Sequence, residues 1–183
     1  MSHFLFLVAS TRAPGQVGNT EWLARRAANV LPSAASQTWL HLANRQMPEF
    51  TDQRHTVGTY PWPEGSLREL LDATMTCTDL VLVAPVYWFS FPSTLKTYLD
   101  HWSAWMRIED LPFTKEMAKK RMYLITTSGD RSKAQPMIDS TRLCAEFLAM
   151  AYVGTLWGKG GAPGTVQSDT AAVAAADRFF NAG

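Results

Sequence analysis

Two short runs in this chain are apolar at nearly every position: His3-Phe4-Leu5-Phe6-Leu7-Val8-Ala9 and Leu80-Val81-Leu82-Val83-Ala84. Neither alternates, so neither can be a strand with one face in water. A strand of this kind must be covered on both faces, as in a parallel sheet between helical layers. The stretches between and after them carry helical period. Residues 19–31 place Trp22, Leu23, Ala27 and Val30 at helical spacing, and Pro32 stops the helix. Residues 66–76 do the same with Leu67, Leu70, Leu71 and Met75. Pro92 opens a further helix, where a missing N–H costs nothing, with Leu95, Leu99, Trp102 and Met106 as its inner stripe. Residues 37–42 form a weaker strand, and 44–65 form a long aperiodic loop containing Pro48, Pro61 and Pro63. A fourth strand over 121–127, a helix over 136–149 and a fifth strand over 151–156 follow. Ser168 or Asp169 caps a last alanine-rich helix. Five βα units of this kind predict an α/β fold, a parallel sheet with helices on both faces, in one domain spanning residues 1–183.

Composition removes several function classes. A formal charge of +1 argues against a partner recognised through its phosphate backbone, so no nucleic acid is expected. The one basic run, Lys119-Lys120-Arg121, reads as the solvated entrance to a strand. Cys77 and Cys144 lie far apart and form neither a disulfide framework nor a metal pair, and the four histidines lack ligand spacing. His101 reads as a structural or surface group. The apolar run near residue 4 is too short for a signal core and no run approaches a membrane span, so the expectation is a cytoplasmic protein.

In a parallel α/β sheet, ligands bind outside the carboxyl ends of the strands. Three loops at that edge carry unusual residues. After the first strand, Ser10, Thr11 and Arg12 lead through residues 13–17 to Gly18, Asn19 and Thr20 at the start of a helix. A helix N-terminus with hydroxyls and one Arg suits a phosphate, and it equally suits a capped polar loop. Neither a G-x-G-x-x-G fingerprint nor a P-loop is present. After the third strand comes Pro85-Val86-Tyr87-Trp88-Phe89-Ser90, three adjacent aromatics suited to a planar heteroaromatic ligand or to packing under a helix. After the fourth, Thr127, Ser128, Gly129 and Asp130 can approach a polar ring edge or simply begin a helix. The run from Gly158 to Gly164 departs from both nucleotide-loop patterns and reads as a flexible connection.

These segments resemble the flavodoxin-like NAD(P)H-dependent oxidoreductases, the group of FMN reductases, quinone reductases and azoreductases. The first loop is similar to that family's S-x-R…G-N-T phosphate loop, though longer through residues 13–17. The central block is the more specific match: Asp79, Pro85, Val86, Tyr87, Trp88, Lys96 and Asp100 follow the family signature, with Cys77-Thr78 where alanine often precedes the Asp. Residues 127–129 resemble its third flavin-contacting loop, and 154–164 with Asp169 its last strand and connection.

The resemblance implies a flavodoxin-like three-layer sandwich with strand order 2-1-3-4-5. It implies FMN as cofactor, held by Ser10, Arg12, Gly18, Asn19, Thr20, Pro85, Val86, Tyr87, Trp88, Phe89, Thr127, Ser128, Gly129 and Asp130, with backbone N–H groups near Trp88 and Phe89 on the ring. No catalytic side chain and no metal are expected, since the flavin carries the chemistry. NADH or NADPH would be the co-substrate and a quinone, azo compound or free flavin the acceptor, in a homodimer or homotetramer. Tyr60, Trp62 and Trp105 are candidates for a hydrophobic lid. A flavodoxin-type electron carrier and an FMN-binding regulatory subunit stay open as alternatives.

Overall fold

The computed structural model describes residues 1–13 and 15–181. Its five strands, β1 (His3–Val8), β2 (Ser36–His41), β3 (Asp79–Val83), β4 (Arg121–Ser128) and β5 (Ala151–Lys159), form one sheet in the order β2-β1-β3-β4-β5. Every neighbouring pair is parallel. The crossovers are built from α1 (Asn19–Ala28), α2 (Gly65–Thr76), α3 (Ser93–Trp105) with α4 (Phe113–Met117), and α5 (Arg131–Phe147), and α6 (Thr170–Ala176) follows the last strand.

The apolar runs work as two interleaved sets, because successive side chains of a strand point to opposite faces. Leu5, Leu7, Leu80, Leu82, Met122 and Leu124 meet residues of α2, α3, α4 and α5. Phe4, Phe6, Val8, Val81, Val83, Tyr123 and Ile125 meet α1 and α6. Both faces are therefore dry, which is why neither run could tolerate alternation.

Several elements differ from the sequence reading. Helix α3 buries Leu95, Tyr98, Trp102 and Trp105, while Leu99 and Met106 are only partly buried. The stripe is turned toward the bulkier aromatics, and Tyr98 can be buried because its hydroxyl pairs with that of Thr74 at 2.7 Å. Helix α5 begins at Arg131, five residues before Pro136. That proline lies in the second turn, where its missing N–H forgoes one helical bond without stopping the helix. Helix α4 is too short to register as a period in the sequence. Strand β5 runs on to Lys159, so Gly158 and Lys159 belong to the sheet and not to a flexible connection. Of the basic run, Lys120 is buried and donates to the carbonyls of Met75 (2.9 Å) and Cys77 (2.5 Å), closing the end of α2. Burial holds its ammonium below the usual lysine range.

At the same amino-terminal end of the strands, buried Asp79 is gripped by Arg121 at 2.6 Å, by the Thr78 hydroxyl at 2.6 Å and by the Tyr123 hydroxyl at 3.3 Å. This member of the family signature thus anchors the amino-terminal edge of the sheet, away from the ligand edge. His101 is buried on α3 and donates from Nε2 to the Pro48 carbonyl at 2.8 Å, pinning the long loop 44–65 against that helix. No helix among the described residues is long and apolar enough to cross a membrane.

Candidate functional site

The site is assembled at the carboxyl ends of β1, β3, β4 and β5. The chain leaves β1 through Ala9, whose N–H still bonds to Val83, and reaches Ser10. It returns at Gly18, the N-cap of α1, which has extended backbone and no capping side chain. The Arg12 side chain lies directly across Gly18. A Cβ there would stand 3.0 Å from its Nε and 3.1 Å from its Cδ, so glycine makes room for the guanidinium. Arg12 has no acidic partner among the described residues. Pro14, also in this loop, lies outside them.

The second loop turns sharply. Tyr87 and Ser90 exchange backbone hydrogen bonds of 3.1 and 3.0 Å, and the two residues between them, Trp88 and Phe89, both have positive φ, 50° and 63°. Non-glycine residues pay about 1–2 kcal/mol each for that conformation. The turn leaves Trp88 93% exposed and Phe89 52% exposed.

Hydrogen bonds tie the loops together. The Thr11 hydroxyl meets that of Tyr87 at 3.2 Å, and the Thr20 hydroxyl meets that of Thr127 at 2.5 Å. Val86 N–H donates to the Thr127 carbonyl at 3.1 Å, and Gly160 N–H to that of Ser128 at 2.8 Å. Asn19, nearly buried, spends its side chain on the last connection. Its Nδ2 donates to the carbonyls of Ala162 (2.9 Å) and Gly161 (3.3 Å), and its Oδ1 accepts from Val166 N–H at 3.3 Å.

Between the loops lies a cavity of about 310 Å³. Of the residues proposed from sequence, Ser10, Arg12, Gly18, Asn19, Thr20, Pro85, Val86, Tyr87, Thr127, Ser128 and Gly129 line it. Trp88 and Phe89 stand on the turn beyond Tyr87, and Asp130 is the N-cap of α5; none of the three is in the wall. Glu21, Gly160 and Gly161 complete the lining and were not foreseen. Glu21 looked like an ordinary first-turn acid of a helix. The glycines looked like a flexible linker, although a Cβ at Gly160 would come within 2.9 Å of the Thr127 Cβ, a sign of close approach that only the fold reveals.

A smaller cavity of about 180 Å³ shares Ser10, Arg12 and Glu21 with the first. The buried Glu21 carboxylate accepts from Arg25 at 2.6 and 2.9 Å and from His41 at 3.1 Å. Its Oε1 is thus occupied by the Arg25 cation and a His41 N–H, and Arg12 is not drawn into this cluster. The three lid candidates lie elsewhere. Tyr60 bonds within its own loop, to Gln53 N–H and the Thr51 carbonyl. Trp62 stacks with Arg68, and Trp105 is buried beside Tyr98 and Phe113.

The arrangement offers hydroxyls, helix N–H groups and one cation at one end, and backbone and an aromatic ring at the other. Such a donor set suits an anion joined to a planar polar ring. Comparison with known proteins agrees with the architecture. YwqN of Bacillus subtilis, whose name describes an NAD(P)H-dependent FMN-containing oxidoreductase, is 29% identical over 166 residues, covering 89% of this chain and 90% of its own. The solved structure of the Trp repressor binding protein from Bacillus subtilis superposes with a TM-score of 0.74 at 26% identity, covering 98% of this chain and 99% of that one. An FMN-dependent NADH-azoreductase from Bacillus anthracis, solved in complex with FMN, superposes with a TM-score of 0.67 at 16% identity, covering 98% and 95%, a likeness of fold. The model of the flavodoxin-like fold family matches residues 2–180, and the chain belongs to that family.

Proposed function

We propose that this chain binds FMN in the 310 Å³ cavity and acts as an NAD(P)H-dependent oxidoreductase toward a small acceptor such as a quinone, azo compound or free flavin. The observation that carries the reading is the convergence of a helix N-terminus without a capping side chain, an Arg12 with no acidic partner among the described residues and the two ring-suited loops on one cavity. The name of the YwqN relative supports it. The donor set fits the cofactor. Gly18, Asn19 and Thr20 would offer N–H groups to the phosphate, Ser10 its hydroxyl and Arg12 the countercharge. Pro85, Val86 and Tyr87 would line one side of the ring, and residues 127–129 its polar edge, with Trp88, Phe89 and Asp130 on the flanking turns.

Bound FMN would supply the two-electron chemistry, taking hydride from a nicotinamide and giving it to the acceptor. The protein's part is to hold the phosphate, fix the ring between two loops that are themselves hydrogen-bonded together, and leave one approach open. The exposed apolar side chains of Leu143 and Phe147, beside Leu99 and Met106, support a homo-oligomer built on the α3–α5 face.

The visible spectrum of the purified protein with FMN added is the first test. A perturbed, protein-bound flavin spectrum that bleaches under anaerobic NADH or NADPH and recovers with a quinone is expected. Absence of binding would overturn the proposal. Binding without bleaching would replace the enzyme with an electron carrier or regulatory subunit.

A further inference from the structure

We propose that Trp157, on the edge strand β5, is a positioning residue for the flavin site, acting through Ser128 on the backbone of Gly129. The inference rests on the FMN reading above. Trp157 Nε1 lies 2.8 Å from the Ser128 Oγ, and that Oγ lies 2.6 Å from the Asp130 carbonyl oxygen. The proton order in this chain is forced. An indole N–H can only donate and a carbonyl can only accept, so Ser128 accepts from Trp157 and gives its own proton to Asp130.

Ser128 is held a second time through its main chain, because Gly160 N–H, one residue past β5, donates to its carbonyl at 2.8 Å. The edge strand thus grips this residue by side chain and backbone together. The next residue, Gly129, lines the cavity, and its N–H has no partner among the described residues. The Ser128 hydroxyl, which the sequence offered as a direct ligand contact, is committed to holding the turn.

Space filling alone does not require this bond. Trp102 and Trp105 are buried with their indole N–H groups unpartnered, whereas the less buried Trp157 aims its donor at one loop hydroxyl. Fixing that turn before ligand arrives spares the cost of ordering it on binding. An N–H donor held at the ring edge also favours the more negative, reduced flavin.

The test compares wild type, Trp157→Phe, Ser128→Ala and the double variant, each titrated with FMN and then poised for its midpoint potential. Trp157→Phe keeps the aromatic bulk and removes the donor. It is expected to weaken FMN binding about fivefold, the effect of one hydrogen bond, and to lower the flavin midpoint potential. Ser128→Ala breaks the same link from its other end and is expected to reproduce both changes. Adding Trp157→Phe to Ser128→Ala should then change neither quantity further. Wild-type affinity and potential in Trp157→Phe would overturn the inference, as would a Trp157→Phe effect undiminished in the Ser128→Ala background. If wild type itself binds no FMN, the functional reading has failed, and this inference with it.

Discussion

Arg12 shows how much of a residue's role depends on its neighbours. The sequence presents it as one cation in a polar loop; the structure lays it over Gly18 at the cavity wall, while Arg25 and His41 bond the nearby Glu21 carboxylate. If Arg12 serves the phosphate, Arg12→Ala should weaken FMN binding by about tenfold or more, the scale of a charge-assisted hydrogen bond. Riboflavin, which lacks the phosphate, should bind both proteins alike, and parallel fluorescence titrations check this. Trp88 makes the opposite case, a residue whose backbone is strained and whose side chain is nearly free. Trp88→Gly removes the left-handed penalty and should raise the stability of the flavin-free protein by about 1 kcal/mol in a urea titration. Nothing in Tyr87-Trp88-Phe89-Ser90 announces that turn, since glycine or asparagine are the residues that ordinarily mark one. Aromatic identity was legible there, and backbone conformation was not.

Among the elements, α6 carries a contact that could be read locally. Asp169 accepts from Ala172 N–H at 3.0 Å, as an N-cap should, and also from Lys159 N–H at 2.8 Å, which joins the end of β5 to the helix. These N–H donors, Lys159 first, hold its carboxyl below the ordinary aspartate value of 3.8. The folded state therefore prefers the carboxylate. Its contribution is complete above the unfolded pKa and is lost as pH falls through the lower folded one. Asp169→Ala should cost about 1 kcal/mol near neutral pH. The gap between variant and wild type should close as acid protonates the native carboxyl, which denaturation at stepped pH would record. Helix α5 was less legible because Pro136 is a stop signal only where tertiary packing cannot offset one lost bond; here Ala134, Met137, Ile138, Thr141 and Ala145 are all buried. Strand β5 runs three residues beyond the expected end at 156, to Lys159, because Gly158 only looks like a loop residue. Its missing side chain instead admits Val166, Leu23 and Ala172, which a Cβ would meet at 2.7 to 3.2 Å.

Taken as a whole, the molecule holds its cavity between loops from four strands, so a ligand bound there braces elements far apart in the chain. Binding only to the native state, FMN at one hundred times its dissociation constant should add about 2.7 kcal/mol to the unfolding free energy. A rising thermal midpoint with FMN concentration, and a smaller rise with inorganic phosphate alone, are the expected readouts. A flat response to FMN would argue that the cavity is not its site.

The sequence by itself determined the five strands and the longer helices between them, because a run of apolar residues without alternation has few stable environments and helical period names its neighbours. It also marked three loops at the ligand edge, since in a parallel sheet every strand-to-helix loop falls at the carboxyl ends of the strands; the strand order itself came from the family resemblance. Tertiary structure alone decided the fourth wall at Gly160 and Gly161, the commitment of Asn19 and Ser128 to holding loops, and the link from Trp157 to the site. Those features depend on distances between segments remote in sequence, such as Asn19 and Ala162 or Thr20 and Thr127. A local pattern records what a residue can bond to; packing decides which partner is within reach.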